Sequence, residues 1–251
     1  MSMDALTTID ALLDGRLSLR QPAKGHRAGT DALLLAALAR SLPGDHVADF
    51  GSGVGTAGLA LALFEPLRRV ILAEIDPDQA GLAQENIIRN QLEGRVSVVI
   101  ADLTLPAAMR AAGLGEGAVD LVIMNPPFFD PAHTRSSPVA QRRGAHHMPS
   151  GDLAHWLKGA RRCLKPKGHV AMIHRADALE QIMMAMKPGF GRITIRPVYP
   201  REGKPAHRLL VSARLNSKTP TVILPGLVLH DQDGSFTPQA EAIHRSLDLI
   251  R

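Results

Sequence analysis

A short apolar strand pattern, Val47-Ala-Asp-Phe50, runs directly into the turn Gly51-Ser-Gly-Val-Gly55 and then into an apolar helix pattern from Thr56 to Phe64. This strand, glycine turn and helix open an alternation that continues down the chain. Val70 to Glu74 is a second strand, and Asp76-Pro77 starts a helix with Asp at the N-cap and Pro at the first helical position. Val96 to Ala101, Val119 to Met124 and His169 to Ile173 are further strands, with later ones at Ile193–Ile195 and Leu209–Val211. Leu153, Trp156, Leu157, Ala160, Cys163 and Leu164 fall on one face of a helix that stops at Lys165-Pro-Lys-Gly168. Alternating elements with buried strands predict a mostly parallel sheet covered by helices on both faces. Ligands on such sheets bind beyond the carboxyl ends of the strands, so the chemistry is expected just after Phe50, Glu74, Ala101 and Met124.

Hydrophobic residues make up 45% of the 251, enough for a large core, and with only 3% aromatics that core must be aliphatic. Before His46 the pattern predicts a small N-terminal cap over residues 1–45, a hairpin and a helix, ahead of a main domain over 46–251. Arg16 to Arg20 alternates like a strand, Gln21 to Gly25 reads as a turn, and Thr30 or Asp31 is placed to cap the helix Ala32 to Arg40. The last forty residues carry no clear pattern. Cys163 is the single cysteine, which excludes an intrachain disulfide and a cysteine-rich zinc site. His146-His147 has no paired acid or cysteine cluster, so no metal is expected. Neither a signal peptide nor a bilayer-spanning run is legible, and a cytoplasmic location is the expectation.

The glycine turn carries the first functional signal. Gly51, Gly53 and Gly55 let the backbone turn tightly and approach a ligand, and the following helix offers free N–H groups and a partial positive charge. Glu74 ends the second strand 19 residues past Gly55, where an acid can accept from ribose hydroxyls. Asp102 ends the third strand in the same way and can accept from an adenine amino group. A dinucleotide is the competing ligand, but its usual signature is Gly-x-Gly-x-x-Gly. Here the turn is Gly-x-Gly-x-Gly, and Asp49, two residues before it, suits a cationic amino group better than a pyrophosphate.

The fourth strand ends in Asp120-Leu-Val-Ile-Met-Asn-Pro-Pro-Phe128. An aromatic amino group is a poor nucleophile because its lone pair is delocalised into the ring. Two acceptors aimed at its hydrogens favour a pyramidal nitrogen. The Asn125 side-chain oxygen and the Pro126 carbonyl are suited to that role, and the pair Pro126-Pro127 stiffens the turn that holds them. Phe128 offers a flat face for a target base.

On these residues the chain resembles the amino-nitrogen methyltransferases, whose hallmark is Asn/Asp-Pro-Pro-Phe/Tyr after a glycine-rich loop and a ribose acid. More widely it resembles the tRNA (adenine-N6)-methyltransferases that modify the adenine beside the anticodon of a valine tRNA. That pattern includes Gly29-Thr-Asp-Ala-Leu-Leu34, Asp49 to Gly55, Ala83-Gln-Glu-Asn-Ile87, Asn125 to Phe128 and Pro205-Ala-His-Arg-Leu-Leu210. The resemblance implies a Rossmann-like α/β fold with a seven-stranded, mostly parallel sheet. It implies S-adenosylmethionine as cofactor, with Gly51, Gly53, Glu74, Asp102 and Asn125 lining its pocket and Thr30 and Asp31 closing it. Phe128 stands where that family commonly has Tyr, Pro197 to Pro205 differs in detail, and the basic loop 131–147 has no counterpart. The neighbouring readings are an rRNA guanine-N2 methyltransferase, a release-factor glutamine-N5 methyltransferase and an inert cofactor-binding scaffold. Intact Asn125 argues against the scaffold.

The charge distribution admits two readings, a phosphate-binding face for RNA and a solvated basic surface. The net charge is +5, yet Pro131 to Arg208 holds 15 Lys and Arg against 4 Asp and Glu, leaving the rest of the chain at −6. Arg135, Arg142 and Arg143, just after the catalytic motif, and Arg201, Lys204 and Arg208 farther along are the expected phosphate contacts of a tRNA partner.

Overall fold

The computed structural model describes residues 7–23, 29–127 and 153–250. Two strands, β1 (Thr7–Leu12) and β2 (Leu17–Pro22), form an antiparallel hairpin. Its turn lies at Leu13–Arg16, ahead of the expected strand, where Leu13 and Asp14 adopt left-handed φ, and Gln21 and Pro22, expected in a turn, still belong to β2. Helix α1 (Thr30–Arg40) follows, then β3 (His46–Phe50), α2 (Thr56–Phe64), β4 (Arg69–Glu74), α3 (Pro77–Arg89) and β5 (Val96–Ile100). The chain continues through α4 (Pro106–Ala111), β6 (Val119–Met124), α5 (Leu153–Cys163), β7 (Leu164–Arg175), α6 (Leu179–Met186), β8 (Phe190–Arg201) and β9 (Arg208–Leu215). Short strands β10 (Val222–Ile223) and β11 (Leu227–His230) precede α7 (Pro238–Ser246).

The central sheet runs β8-β9-β7-β6-β3-β4-β5, which are the seven strands expected, and β10 and β11 extend the outer edge of β8. Strands β3 to β7 are parallel, while β9 is antiparallel to both β7 and β8. The order reverses at β3, which has β4 on one side and β6 on the other. Such a switch point opens a crevice at the carboxyl end of the sheet. Phe50 is in register with Met124 and with Ala73, so Gly51 and Asn125 leave the sheet side by side.

Strand alternation sorts the core into two layers. Val47 faces a cluster with α1, α2, α3 and α7, whereas Ala48 and Phe50 face a cluster with α4, α5 and α6. The α1 leucines 33, 34 and 35 are fully or almost fully buried in the first cluster.

Some local expectations are corrected. The N-cap of α1 is Gly29, in extended conformation and without a side-chain cap. Thr30 and Asp31 are instead the first two residues of the helix, where the Thr30 hydroxyl lies 3.1 Å from His244 Nε2 and Asp31 is paired with Arg208. The predicted cap of α3 is present, with Asp76 accepting from Asp78 N–H at 2.8 Å and Pro77 at the first position. Strand β7 begins at Leu164, expected as the last residue of the helix face, and runs on through Lys165 to Gly168, the stretch expected to stop that helix. Strand β8 runs to Arg201 through Pro197 and Pro200, with a register shift against β9 between Gly191 and Thr194.

Candidate active site

The glycine turn is tied to the end of β4. Gly51 N–H donates to the Ala73 carbonyl at 2.8 Å, and Gly53 N–H donates to Glu74 Oε2 at 2.8 Å. The other Glu74 oxygen accepts from Ile75 and Asp76 N–H at 2.8 and 3.0 Å. Glu74 is buried, and three of its roughly four lone-pair directions are taken, so about one remains for a ligand hydroxyl. Gly51 has φ +64 and the Trp156 ring lies 2.5 Å from where its Cβ would stand, so this position requires glycine twice over.

Asp49 projects to the α2 side of the sheet. Its Oδ2 accepts from Gly58 N–H at 2.9 Å, and a Cβ on Gly58 would meet Leu72 Cδ2 at 2.4 Å, so a small residue lets α2 approach the strands. Burial pushes the Asp49 carboxyl up to about 7, opposed by the Gly58 hydrogen bond and assisted by the nearby Glu74 charge. A buried carboxyl with one hydrogen-bond donor is a site suited to a cationic ligand group.

Asp102 is half-buried beyond β5, and its Oδ1 accepts from the N–H and hydroxyl of Thr104 at 2.8 and 2.6 Å. Asn125 follows β6 directly. Its Oδ1 is buried with no hydrogen-bond partner among the described residues, and the same holds for Ser52 Oγ in the glycine turn. An orphaned acceptor is costly to bury, and in native proteins such a group commonly marks a functional site. Pro126 is buried and Pro127 exposed. Phe128, with Arg135, Arg142 and Arg143, lies outside the described residues.

The structure therefore brings Asp49, Gly51, Gly53, Gly55, Glu74, Asp102 and Asn125 to one end of the sheet. Thr30 and Asp31 stand at the start of α1, turned toward His244 and Arg208. Arg208 Nε donates to Asp31 Oδ2 at 2.8 Å, so this expected phosphate contact is drawn into an ion pair. Arg201, at the end of β8, and Lys204, in the turn that leads to β9, are exposed.

Two site residues escape a reading of the sequence. Helical spacing places Trp156 in the core, yet its ring packs on Gly51. Asn86 is fully buried in α3; its Oδ1 accepts from Arg20 N–H at 2.7 Å, and its Nδ2 donates to the carbonyls of Arg20 and Val54 at 2.9 and 3.0 Å. It thereby joins the hairpin, α3 and the glycine turn. A polar residue on the buried face of an amphipathic helix is the signal that points to it.

Comparison with known proteins places this geometry. The family described as methyltransferase small domain matches residues 27–196. A tRNA1(Val) (adenine(37)-N6)-methyltransferase of Porphyromonas gingivalis is 31% identical over 67% of this chain; the match spans 66% of that relative, just under two thirds. One of the same name from Dyadobacter fermentans is 27% identical over 87% of this chain and 88% of its own length. Among solved structures, protein Atu636 from Agrobacterium tumefaciens, described as a predicted O-methyltransferase, is 28% identical with a TM-score of 0.74, over 88% of this chain and 98% of that one. M. jannaschii TYW2 in complex with AdoMet shares the fold at 17% identity and TM-score 0.56, over 83% and 85% of the two chains. With its Rossmann-like sheet and the family match over most of its length, the chain belongs to the methyltransferase small domain family.

Proposed function

We propose that this protein is an S-adenosylmethionine-dependent N-methyltransferase whose acceptor is an adenine N6 in tRNA, the activity named for its relatives from Porphyromonas and Dyadobacter. The observation that carries the reading is the buried, unpartnered Asn125 Oδ1 beside the glycine turn. An amino group offers two hydrogens, and the Asn125 side chain together with the Pro126 carbonyl supplies two acceptors. A hydroxyl acceptor has one hydrogen and no use for such a pair, which separates this reading from O-methyl transfer.

The residues fit the cofactor. Asp49 is suited to its ammonium, Glu74 to a ribose hydroxyl and Asp102, through the oxygen that Thr104 does not occupy, to the adenine amino group. The backbone of Gly51, Gly53 and Gly55 allows close approach. When bound, the cofactor supplies an electrophilic methyl group on a sulfonium. The chain's own part is to hold the acceptor nitrogen with its hydrogens engaged and its lone pair aimed, a positioning and electrostatic effect that needs no covalent intermediate. Phe128 is assigned to stacking of the target base. Arg135, Arg142, Arg143, Arg201 and Lys204 are assigned to the flanking phosphates. Arg208, already bound to Asp31, is assigned to holding the edge of the site.

No helix among the described residues is long and apolar enough to cross a membrane. The test in cells is mass spectrometry of nucleosides from purified tRNA with and without this protein. Loss of N6-methyladenosine on deletion is the expected result. Loss of N2-methylguanosine from rRNA, or of N5-methylglutamine from a release factor, would replace the reading.

A further inference from the structure

Helix α5 connects the two ends of the sheet and carries charge of one sign. It holds Lys158, Arg161 and Arg162 with no acidic residue in its eleven. Its buried residues Leu153, Leu157, Ala160 and Cys163 turn the other face outward, and Lys158 and Arg161 stand exposed there three positions apart. The first two turns of the helix are anchored at the carboxyl end of the sheet. Near its start the Trp156 ring packs on Gly51 of the glycine turn, and one turn later Gly159 sits so close to the Leu103 carbonyl that a Cβ would lie 2.8 Å away. At eleven residues and 1.5 Å each, the helix spans about 16 Å.

Its last turn lines an open cleft of about 670 Å³ at the opposite end of the sheet from Asn125. Lys158, Arg161 and Arg162 line it, with the exposed side chain of Met184 and a single acid, Glu116. The Arg161 guanidinium packs over Gly189, 2.8 Å from where a Cβ would stand, which orients it toward the cleft. None of the three cations has a carboxylate partner among the described residues. Lys165 is different, being paired with Asp120 at 2.7 Å. The positive potential extends to the adjoining strand ends. His169 is held below its usual value first by burial and then by the charges of Arg214 and Arg192.

We infer that the exposed face of α5 and the cleft at its end form a second RNA-binding surface, which holds phosphates of the substrate tRNA away from the target base. The inference rests on the tRNA reading above and extends it to a surface with no part in cofactor binding. Three cations converging on one open cleft, with Glu116 the single acid among its described lining residues, are complementary to the phosphates of a tRNA backbone.

The test is tRNA affinity measured against salt concentration for the parent, for Lys158→Gln/Arg161→Gln, and for Lys158→Gln alone. The single variant is included because Arg161 also packs on Gly189. The double variant is expected to bind tRNA about tenfold more weakly near physiological salt. Its slope of log affinity on log salt should be shallower by about 0.7 to 0.9 for each phosphate that is no longer neutralised. The single variant should show roughly half of each effect, and Lys158→Arg/Arg161→Lys should restore both. Thermal melting and S-adenosylmethionine affinity should match the parent. Equal affinities and slopes in parent and variants overturn this surface while leaving the tRNA reading standing. Salt-insensitive, weak tRNA binding by the parent overturns both. Loss of inorganic phosphate binding with tRNA affinity unchanged identifies a small-anion site and also overturns the proposal.

Discussion

The Gly58 N–H donates to Asp49 Oδ2 across 2.9 Å, and it is the one hydrogen bond this buried carboxyl receives among the described residues. Burial raises the carboxyl from 3.8 to about 7, so the folded protein holds the proton more tightly than the unfolded chain does. Stability from this group is therefore fully present below pH 3.8 and is lost as pH rises toward 7. At about 1.4 kcal/mol per pH unit the loss is of order 4 kcal/mol. Asp49→Asn should remove that dependence, making the ligand-free protein melt higher than the parent at pH 8. Melting curves of both proteins from pH 5 to 8 check this; parallel curves would contradict it.

With Asp49 holding the cofactor's ammonium as proposed, the same carboxyl should set the pH dependence of cofactor binding. A bound ammonium favours the ionised form, so below pH 7 binding should release up to one proton, and above pH 8 almost none. Calorimetry at pH 6 in buffers of different ionisation enthalpy measures the proton count. Zero release at pH 6 would remove Asp49 from the cofactor's ammonium.

Glu74 holds the glycine turn and, in this account, a ribose hydroxyl. Glu74→Gln forces an amide N–H against at least one of the backbone N–H groups of Gly53, Ile75 and Asp76. The cost should be about 1–3 kcal/mol of stability. Cofactor affinity should fall by roughly 10- to 100-fold as well. Denaturation and calorimetry on one preparation separate the two effects. Lower stability with unchanged affinity would leave Glu74 a purely structural role.

Gly51 and Trp156 should be energetically coupled. Gly51→Ala places a methyl group against the indole and an L side chain at φ +64, for a loss of about 1–3 kcal/mol. In a Trp156→Ala background the steric part disappears and only the strain at φ +64 remains. A double-mutant cycle should give an interaction of at least 0.5 kcal/mol. Additive losses would show that the ring does not constrain the turn.

Local signals in the sequence carry the core strands and the main site. The glycine turn, the acid ending β4 and the Asn-Pro-Pro segment each depend on a strand end and its next few residues, and hydrophobic patterning locates strand ends well. Side chains whose partners are far along the chain are not legible in this way. Thr30 and Asp31 have good capping chemistry, yet His244 and Arg208 claim them, and nothing near α1 announces residues some two hundred positions away. Trp156 illustrates the same limit. Helical spacing puts it on the inward face but does not say that the neighbour there is Gly51. The strands β10 and β11 are only two and four residues long, too short for a period to show, and they exist because β8 offers a free edge.

The central claim is methyl transfer to adenine N6 guided by Asn125. The most direct measurement incubates purified protein with unmodified tRNA and S-adenosylmethionine labelled in the methyl group, then digests the RNA and separates its nucleosides. The parent should place the label in N6-methyladenosine. Asn125→Ala should keep most of its cofactor affinity while the rate falls by roughly two to three orders of magnitude, as for loss of a preorganised polar group. Label in another nucleoside, or an Asn125→Ala protein that works at the parent's rate, would contradict the account.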